Sequence, residues 1–371
     1  MNERFEVLDA FRGICAISVV VFHMSLVGSI TEWAFFRGSS IFVEFFFVLS
    51  GFVLAHSYGA KKNLNFKIFM KNRFFRLYPL HFFMLSIFIL LEVANLFFYK
   101  LGFSFRGIPF SGKTGISEII PNLLLLQSWF PSAYPLSFNG PSWSISVEFY
   151  MYAIFFLTIF FLKKCKWLVW LCISITSFFL IYFHYELLTN EVMKGLSCFF
   201  GGAFTYVVYK KLATYRINYL FGSVIELILI IAVVYVVQSS LEYKSIIAPA
   251  LFIIVIFSFA YESGFFSLIL KKKPFQRIGV LSFSIYMTHY VVVIFVKSLA
   301  VVMQKVTGIN LAPVINGGRY IDFGNATLNN IFLLSIILFV IIVSSFTYKN
   351  IEIKGQILGK KYLSNNAFSY K

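Results

Sequence analysis

The chain has 371 residues, of which 59% are hydrophobic and 13% charged. Soluble globular domains carry roughly 45–50% apolar and about 25% charged residues, so an ordinary soluble enzyme is excluded, as are a disordered chain, a collagen-like fibre and a coiled coil. The net charge of +17 is concentrated in short gaps between apolar runs, a pattern that sets membrane topology and does not point to nucleic acid.

Taken from the N-terminus, MNERFEVLDAFRG mixes acids with two arginines and is followed by no small-residue cleavage site. It reads as the start of a retained first span rather than a signal peptide. Apolar runs then fall at 10–29, 38–58, 77–99, 142–162, 167–185, 192–209, 219–238, 245–262, 280–300 and 327–348. Each is long enough to cross a bilayer as a helix, and ten such spans need about 200 apolar positions, which this composition supplies. A further run, 119–130, is short and contains Pro121, so it reads as re-entrant or interfacial. If the N-terminus is cytoplasmic and 119–130 does not cross, 23 of the 32 Lys and Arg lie on the cytoplasmic side. A crossing at 119–130 would flip every later basic loop outward, against the positive-inside rule. The expected architecture is therefore an all-α polytopic membrane protein, one domain over 1–371, a bundle of about ten transmembrane helices with both termini cytoplasmic. The longest external segments are 100–141 and 301–326. Cys15, Cys165, Cys172 and Cys198 form no C-x-x-C pair, so neither a zinc site nor a disulfide framework is suggested.

Ionisable residues inside spans are costly and are functional candidates by default. His23 lies eleven residues after Arg12, which puts both within about 20° of one helix face and about 16 Å apart along the axis. Arg12 is placed near the cytoplasmic surface and His23 beyond the midplane. A cation at the mouth and an imidazole deep inside suit a long anionic donor whose reactive end is remote from its phosphates; a snorkelling Arg and a packed His are the plain alternative. Neutral imidazole can accept a proton, and a carboxylate nearby would stabilise the imidazolium. Glu148, six residues into its span and about 9 Å below the outer surface, is the best-placed carboxylate. Arg73 and Arg76, spaced i, i+3, put two guanidinium groups on one side of a helix start, where Arg suits phosphate; Lys61, Lys62 and Lys67 suit lipid headgroups instead. Ser50-Gly51 brings small residues into a very apolar helix, for close packing or ligand approach. His289 is about mid-membrane and is a second candidate lining the groove. Trp143 could stack on a sugar or belong to the interfacial belt. His56, His81 and His184 fall near span ends, with a bland interfacial role.

Taken in order, these pieces resemble the acyltransferase-3 family of membrane acyltransferases. They are LDAFRG (8–13) with Arg-x10-His ending at His23, FFFVLSGFVL (45–54), NRFFRLYPLH (72–81), PSWSISVEFYMY (141–152) and IGVLSFSIYMTH (278–289). The resemblance implies a ten-helix bundle in the bacterial cytoplasmic (inner) membrane that takes an acyl group, usually acetyl, from cytoplasmic acyl-CoA. The acceptor it implies is a hydroxyl of a cell-surface or lipid-linked carbohydrate. It implies His23, Glu148 and Arg12 as catalytic residues and Arg73, Arg76 and Arg12 as acetyl-CoA ligands. Ser50, Trp143 and His289 would line the substrate site, with membrane lipid around the bundle, no metal and no nucleic acid. Two departures are the Ser-Phe-Ser-Ile-Tyr start at 282–286 and Ile353 after Glu352, where the family often has Glu-Pro. The rival class is a transporter or flippase of a lipid-linked saccharide, whose inverted repeats and paired broken helices are not seen.

Overall fold

A computed structural model describes residues 4–61, 64–102 and 107–368, with side chains as far as Lys361. Lys62 lies outside the described residues. In chain order the helices are α1 (Glu6–His23), α2 (Ala34–Arg37), α3 (Phe42–Tyr58), α4 (Phe66–Lys100), α5 (Ile119–Leu123), α6 (Trp143–Leu162), α7 (Lys166–Tyr182), α8 (Asn190–Leu212), α9 (Tyr219–Gln238), α10 (Lys244–Phe259), α11 (Phe265–Leu270), α12 (Lys273–Thr307), α13 (Ala326–Thr347) and α14 (Ile353–Phe368). A two-stranded hairpin, β1 (Val314–Ile315) and β2 (Gly318–Arg319), lies between α12 and α13. A π-turn at Tyr348–Glu352 joins α13 to α14.

Among the described residues, seven helical stretches are long and apolar enough to cross a membrane: Ser39–Tyr58, Phe66–Lys100, Gly140–Leu162, Asn190–Leu212, Tyr219–Gln238, Lys273–Thr307 and Ala326–Lys361. Helices α7 and α10 are apolar but shorter, with 17 and 16 residues. The chain is a multi-pass, all-α membrane protein. Such a protein must satisfy its backbone groups internally, and long helices do so residue by residue.

The helices depart from the apolar runs at three places that matter for the site. The first run was expected to stay helical to residue 29, yet α1 stops at His23. Beyond it the backbone turns to another partner: Ile321 donates to the Ser25 carbonyl at 2.9 Å and accepts from Val27 at 3.1 Å. Gly28, at φ +64°, then turns the chain, and the Ser29 side chain caps the next turn. The third run was expected to begin at 77, yet α4 begins at Phe66. His81 is therefore mid-helix and buried rather than interfacial, and its Nε2 donates to the Asn122 carbonyl at 2.9 Å. The run 119–130 yields only the five-residue α5 and then turns, with Leu125 at φ +56°. Asn122, Gln127 and Ser128 are fully buried within it: Asn122 donates to the Glu118 carbonyl and to Ser137, while Gln127 and Ser128 reach Ser142 and Trp143 at the start of the next helix.

The chain divides into two compact units. The first holds residues up to 16, 38–70 and 150–282. Its central crossing is α3 on α8. A Cβ at Gly51 would overlap the Phe199 carbonyl, and one at Gly202 would overlap the Val48 carbonyl. Ser50-Gly51 thus serves close helix approach, the plainer of its two readings. Gly13 of α1 and Gly279 of α12 make a second close crossing, with a Cβ at Gly13 only 2.7 Å from the Gly279 nitrogen. Phe47, Phe52, Phe155, Phe199, Phe252 and Trp170 are fully buried in this unit. Buried Glu226 of α9 holds the start of α11, accepting from the Gly264 and Ser267 nitrogens at 2.9 and 3.0 Å and from the Ser267 hydroxyl. The second unit holds residues 17–37, 71–149 and 283 onward. In it α14 seats against α4 through Gly355 and Gly359, where added Cβ atoms would lie 2.7 Å from Pro79 Cγ and Phe75 Cβ.

Candidate active site

The second unit brings together residues from four distant parts of the sequence. His23, the last residue of α1, packs its ring against His289 of α12 with centroids 5.1 Å apart. Tyr290 meets the same imidazole edge-on at 5.2 Å, and Phe88 of α4 stacks on Tyr290 at 6.0 Å. His289 is fully buried. Its Nδ1 lies 3.1 Å from the Ile285 carbonyl, which can only accept, so Nδ1 carries the proton. In the neutral ring Nε2 is then a bare acceptor, and it has no hydrogen-bond partner among the described residues. A buried acceptor left unmade costs about 1–3 kcal/mol, so this atom is held open at an energetic loss beside His23.

The wall of this cluster is built by the segment from 139 to 146. Asn139 donates to the Met287 carbonyl at 3.1 Å, one turn before Tyr290. The Tyr286 hydroxyl donates to the Pro141 carbonyl and accepts from Ser144, both at 2.9 Å. Gly140 leaves room for Tyr290: a Cβ there would sit 3.5 Å from its ring. Ser142 and Ser146 bind Gln127 and Leu125 of the preceding loop, and Trp129 donates to the Ser146 carbonyl at 3.1 Å. The serine-rich NGPSWSIS stretch is thus a connector between the loop, α6 and α12. Glu148 lies on α6 in this unit, half-buried, close enough for its charge to act on Tyr286. Trp143 opens α6, and its backbone carbonyl accepts from Ser128 at 3.0 Å.

Farther along α12 from His289, Lys297 donates from Nζ to the His23 carbonyl at 3.1 Å. It caps the terminus of α1, where carbonyls lack helical partners and the helix dipole favours a cation. Lys297 was not singled out in the sequence, although a lysine within the run 280–300 is the same signal that marked His289. Glu352 is buried in the π-turn and accepts from Ser284 at 3.0 Å, one helical turn before Thr288 and His289. It thereby ties the C-terminal segment to the helix carrying His289.

Arg73 and Arg76 lie half-buried on α4, within the turn that α14 presses upon at Phe75. Arg12 and Ser50 belong to the first unit. Arg12 is 3.9 Å from Asp9, which also holds Arg4 at 2.6 Å, so the start of α1 carries a small ion network. Along α1 itself, Arg12 and His23 are eleven residues apart on one continuous helix. Among the described residues, no group of three or more His, Cys, Asp or Glu is placed to hold a metal ion.

Residues 5–349 match the acyltransferase domain of the acyltransferase-3 family, and the chain belongs to that family. Acyltransferase MdmB of Streptomyces mycarofaciens is 39% identical over 117 residues, 31% of this chain and 27% of that protein. Protein 2 in the picA locus of Rhizobium radiobacter is 32% identical over 165 residues, 41% of this chain and 81% of that protein. The peptidoglycan O-acetyltransferase OatA of Listeria monocytogenes is 24% identical over 323 residues, covering 77% of this chain and 49% of that protein. The chain therefore spans about a quarter of the first relative and about half of the third. No solved structure matches the chain significantly.

Proposed function

We propose that this protein is an O-acyltransferase of a bacterial cytoplasmic membrane, moving an acyl group, with acetyl as the default, from cytoplasmic acyl-CoA to a hydroxyl of a surface or lipid-linked saccharide. The observation that carries the reading is the His23–His289–Tyr290 cluster, an imidazole pair with one bare nitrogen, in a chain matched by the acyltransferase domain over 5–349. The likeness to OatA, a peptidoglycan O-acetyltransferase by name, supports acetyl and a saccharide hydroxyl.

Arg73 and Arg76 would hold the phosphates of CoA by bidentate hydrogen bonds, with Arg12 at the mouth of α1. The pantetheine arm would bring the thioester toward His23. His23 removes the acceptor hydroxyl proton as that oxygen bonds to the thioester carbonyl carbon. The tetrahedral carbon then expels sulfur, the C–S bond breaks, and the imidazolium returns its proton to the leaving thiolate. Glu148 stabilises the imidazolium electrostatically, and His289 Nε2 accepts a hydrogen bond from a second hydroxyl of the incoming acceptor. Trp143 belongs to the substrate lining and offers a face for a sugar ring.

The test is acyl transfer in purified protein with acetyl-CoA and a saccharide acceptor. His23→Ala is expected to lose about 10²–10⁴-fold in turnover, the range that general-base catalysis supplies, while still binding acetyl-CoA. Undiminished transfer by His23→Ala would refute the assignment. Saccharide translocation by the wild type without any acyl transfer would favour the flippase class.

A further inference from the structure

The same unit carries two cations that no carboxylate among the described residues balances. Lys297 points its ammonium at the end of α1, where it uses one hydrogen bond on the His23 carbonyl. An ammonium has three donors, so two remain. Arg37, at the end of α2, donates from Nη2 to the Tyr320 hydroxyl at 3.3 Å, and its guanidinium lies 5.7 Å over the Tyr320 ring. Its other donors also remain available. The backbone connects the two: Ile321, the neighbour of Tyr320, pairs with Ser25 and Val27, just past the His23 carbonyl that Lys297 holds. Among the described residues neither cation makes an ion pair with a carboxylate. The acids of the neighbouring turns are engaged elsewhere: Glu32 accepts from the Gly28 nitrogen, and Asp322 from Gly324 and Asn329.

Two like charges at one end of the unit, both partly buried, repel unless an anion joins them. Capping α1 accounts for one cation and one bond. It leaves the remaining donors of Lys297 and of Arg37 unused among the described residues. We propose that Lys297 and Arg37 form an anion subsite beside His23, and that the acceptor is a saccharide carrying a negative charge near the hydroxyl that receives the acyl group. The charge is a carboxylate or a phosphate; guanidinium and ammonium accept either. This inference rests on the acyl-transfer reading only for the word acceptor; the subsite itself stands on Lys297 and Arg37.

The experiment measures equilibrium binding, not turnover. Three probes sharing one core are titrated into detergent-purified protein: a neutral trisaccharide, the same trisaccharide with one sugar oxidised to a uronate, and the same trisaccharide bearing a terminal phosphate. Wild type is expected to bind at least one charged probe about tenfold or more tightly than the neutral one. Lys297→Met and Arg37→Gln each bring the charged probe down to the neutral value, and Lys297→Arg restores the preference. His23→Ala keeps it while losing transfer, which separates failure of this proposal from failure of the catalytic one. Whichever charged probe is preferred identifies the anion. Equal binding of all three probes to wild type, including no binding of any, overturns the subsite. So does a preference that survives in Lys297→Met. Weakening of all three probes alike in Lys297→Met leaves the lysine as a helix cap only and likewise overturns it.

Discussion

Helix α14 reaches the protein through a narrow stripe of Glu352, Gly355 and Gly359, while Lys354, Ile357, Leu358 and Lys360 face outward. The stripe rests on Phe75 and Pro79 of α4, the turns that also carry Arg73 and Arg76. Replacing Gly359 by Ala puts a Cβ 2.7 Å from Phe75 Cβ and Cγ, and Gly355→Ala puts one 2.7 Å from Pro79 Cγ. Carbon atoms pack best at about 3.5–4.0 Å, so each change demands roughly 0.8 Å of separation. Neither neighbour can swing away: a Cβ follows its backbone, and the Pro ring is closed. The helix itself must move, and a gap of about 0.5–1 Å forfeits a quarter to a half of each dispersion contact along the stripe. Overpacking of this kind costs about 1–3 kcal/mol per substitution. One outward displacement relieves both overlaps, so the double variant is expected to lose about 1 kcal/mol less than the sum of the singles. Thermal unfolding in detergent, with and without acetyl-CoA, reads the stability. If the arginine pair holds CoA as proposed, KM for acetyl-CoA is expected to rise. Additive losses in the double variant, or two singles that melt with the wild type, would refute the packing argument.

Three further outcomes are expected. If Arg73 and Arg76 hold CoA as proposed, Arg73→Ala or Arg76→Ala removes charge-assisted hydrogen bonds worth about 1.5–3 kcal/mol each and acetyl-CoA affinity falls by about ten- to a hundredfold; calorimetric titration checks it. His289→Leu removes a bare buried acceptor that costs about 1–3 kcal/mol, so the unliganded protein melts higher while acyl transfer falls; a lower melting temperature contradicts that accounting. Glu226→Ala strips the Gly264 and Ser267 nitrogens of their acceptor at the start of α11, and a loss of about 3 kcal/mol is expected in denaturant unfolding; a change below about 0.5 kcal/mol speaks against the cap.

The membrane class and the family were legible because they rest on quantities a sequence states directly. Every long apolar run contains a helix, and the ordered motifs from LDAFRG to IGVLSFSIYMTH fall within the matched 5–349. Helix ends were less legible where tertiary hydrogen bonds compete with the ladder. Residues 24–29 are apolar enough to continue α1, yet Ile321, some 300 residues later, takes the backbone of Ser25 and Val27. The start of α4 was missed for the converse reason: four basic residues interrupt the six apolar ones in 66–76, and a helix can run past the continuous apolar stretch into its charged end. Within the site, buried ionisable residues were readable one at a time. Their pairings were not: the contact of His23 with His289 joins positions 266 apart, and no periodicity encodes it. The roles of Ser142, Ser144 and Ser146 were equally hidden, because small hydroxyls in an apolar helix commonly bond to their own ladder, and here they serve a loop and α12.

His23 occupies the terminus of α1, and that changes how its imidazole can behave. A residue inside a helix has its carbonyl fixed by the amide four positions on. The carbonyl of His23 is instead tethered to the flexible ammonium arm of Lys297, and the amide of Val27 is committed to Ile321. A ring mounted there takes its position from the side chains around it, His289 and Tyr290, rather than from a following turn of its own helix.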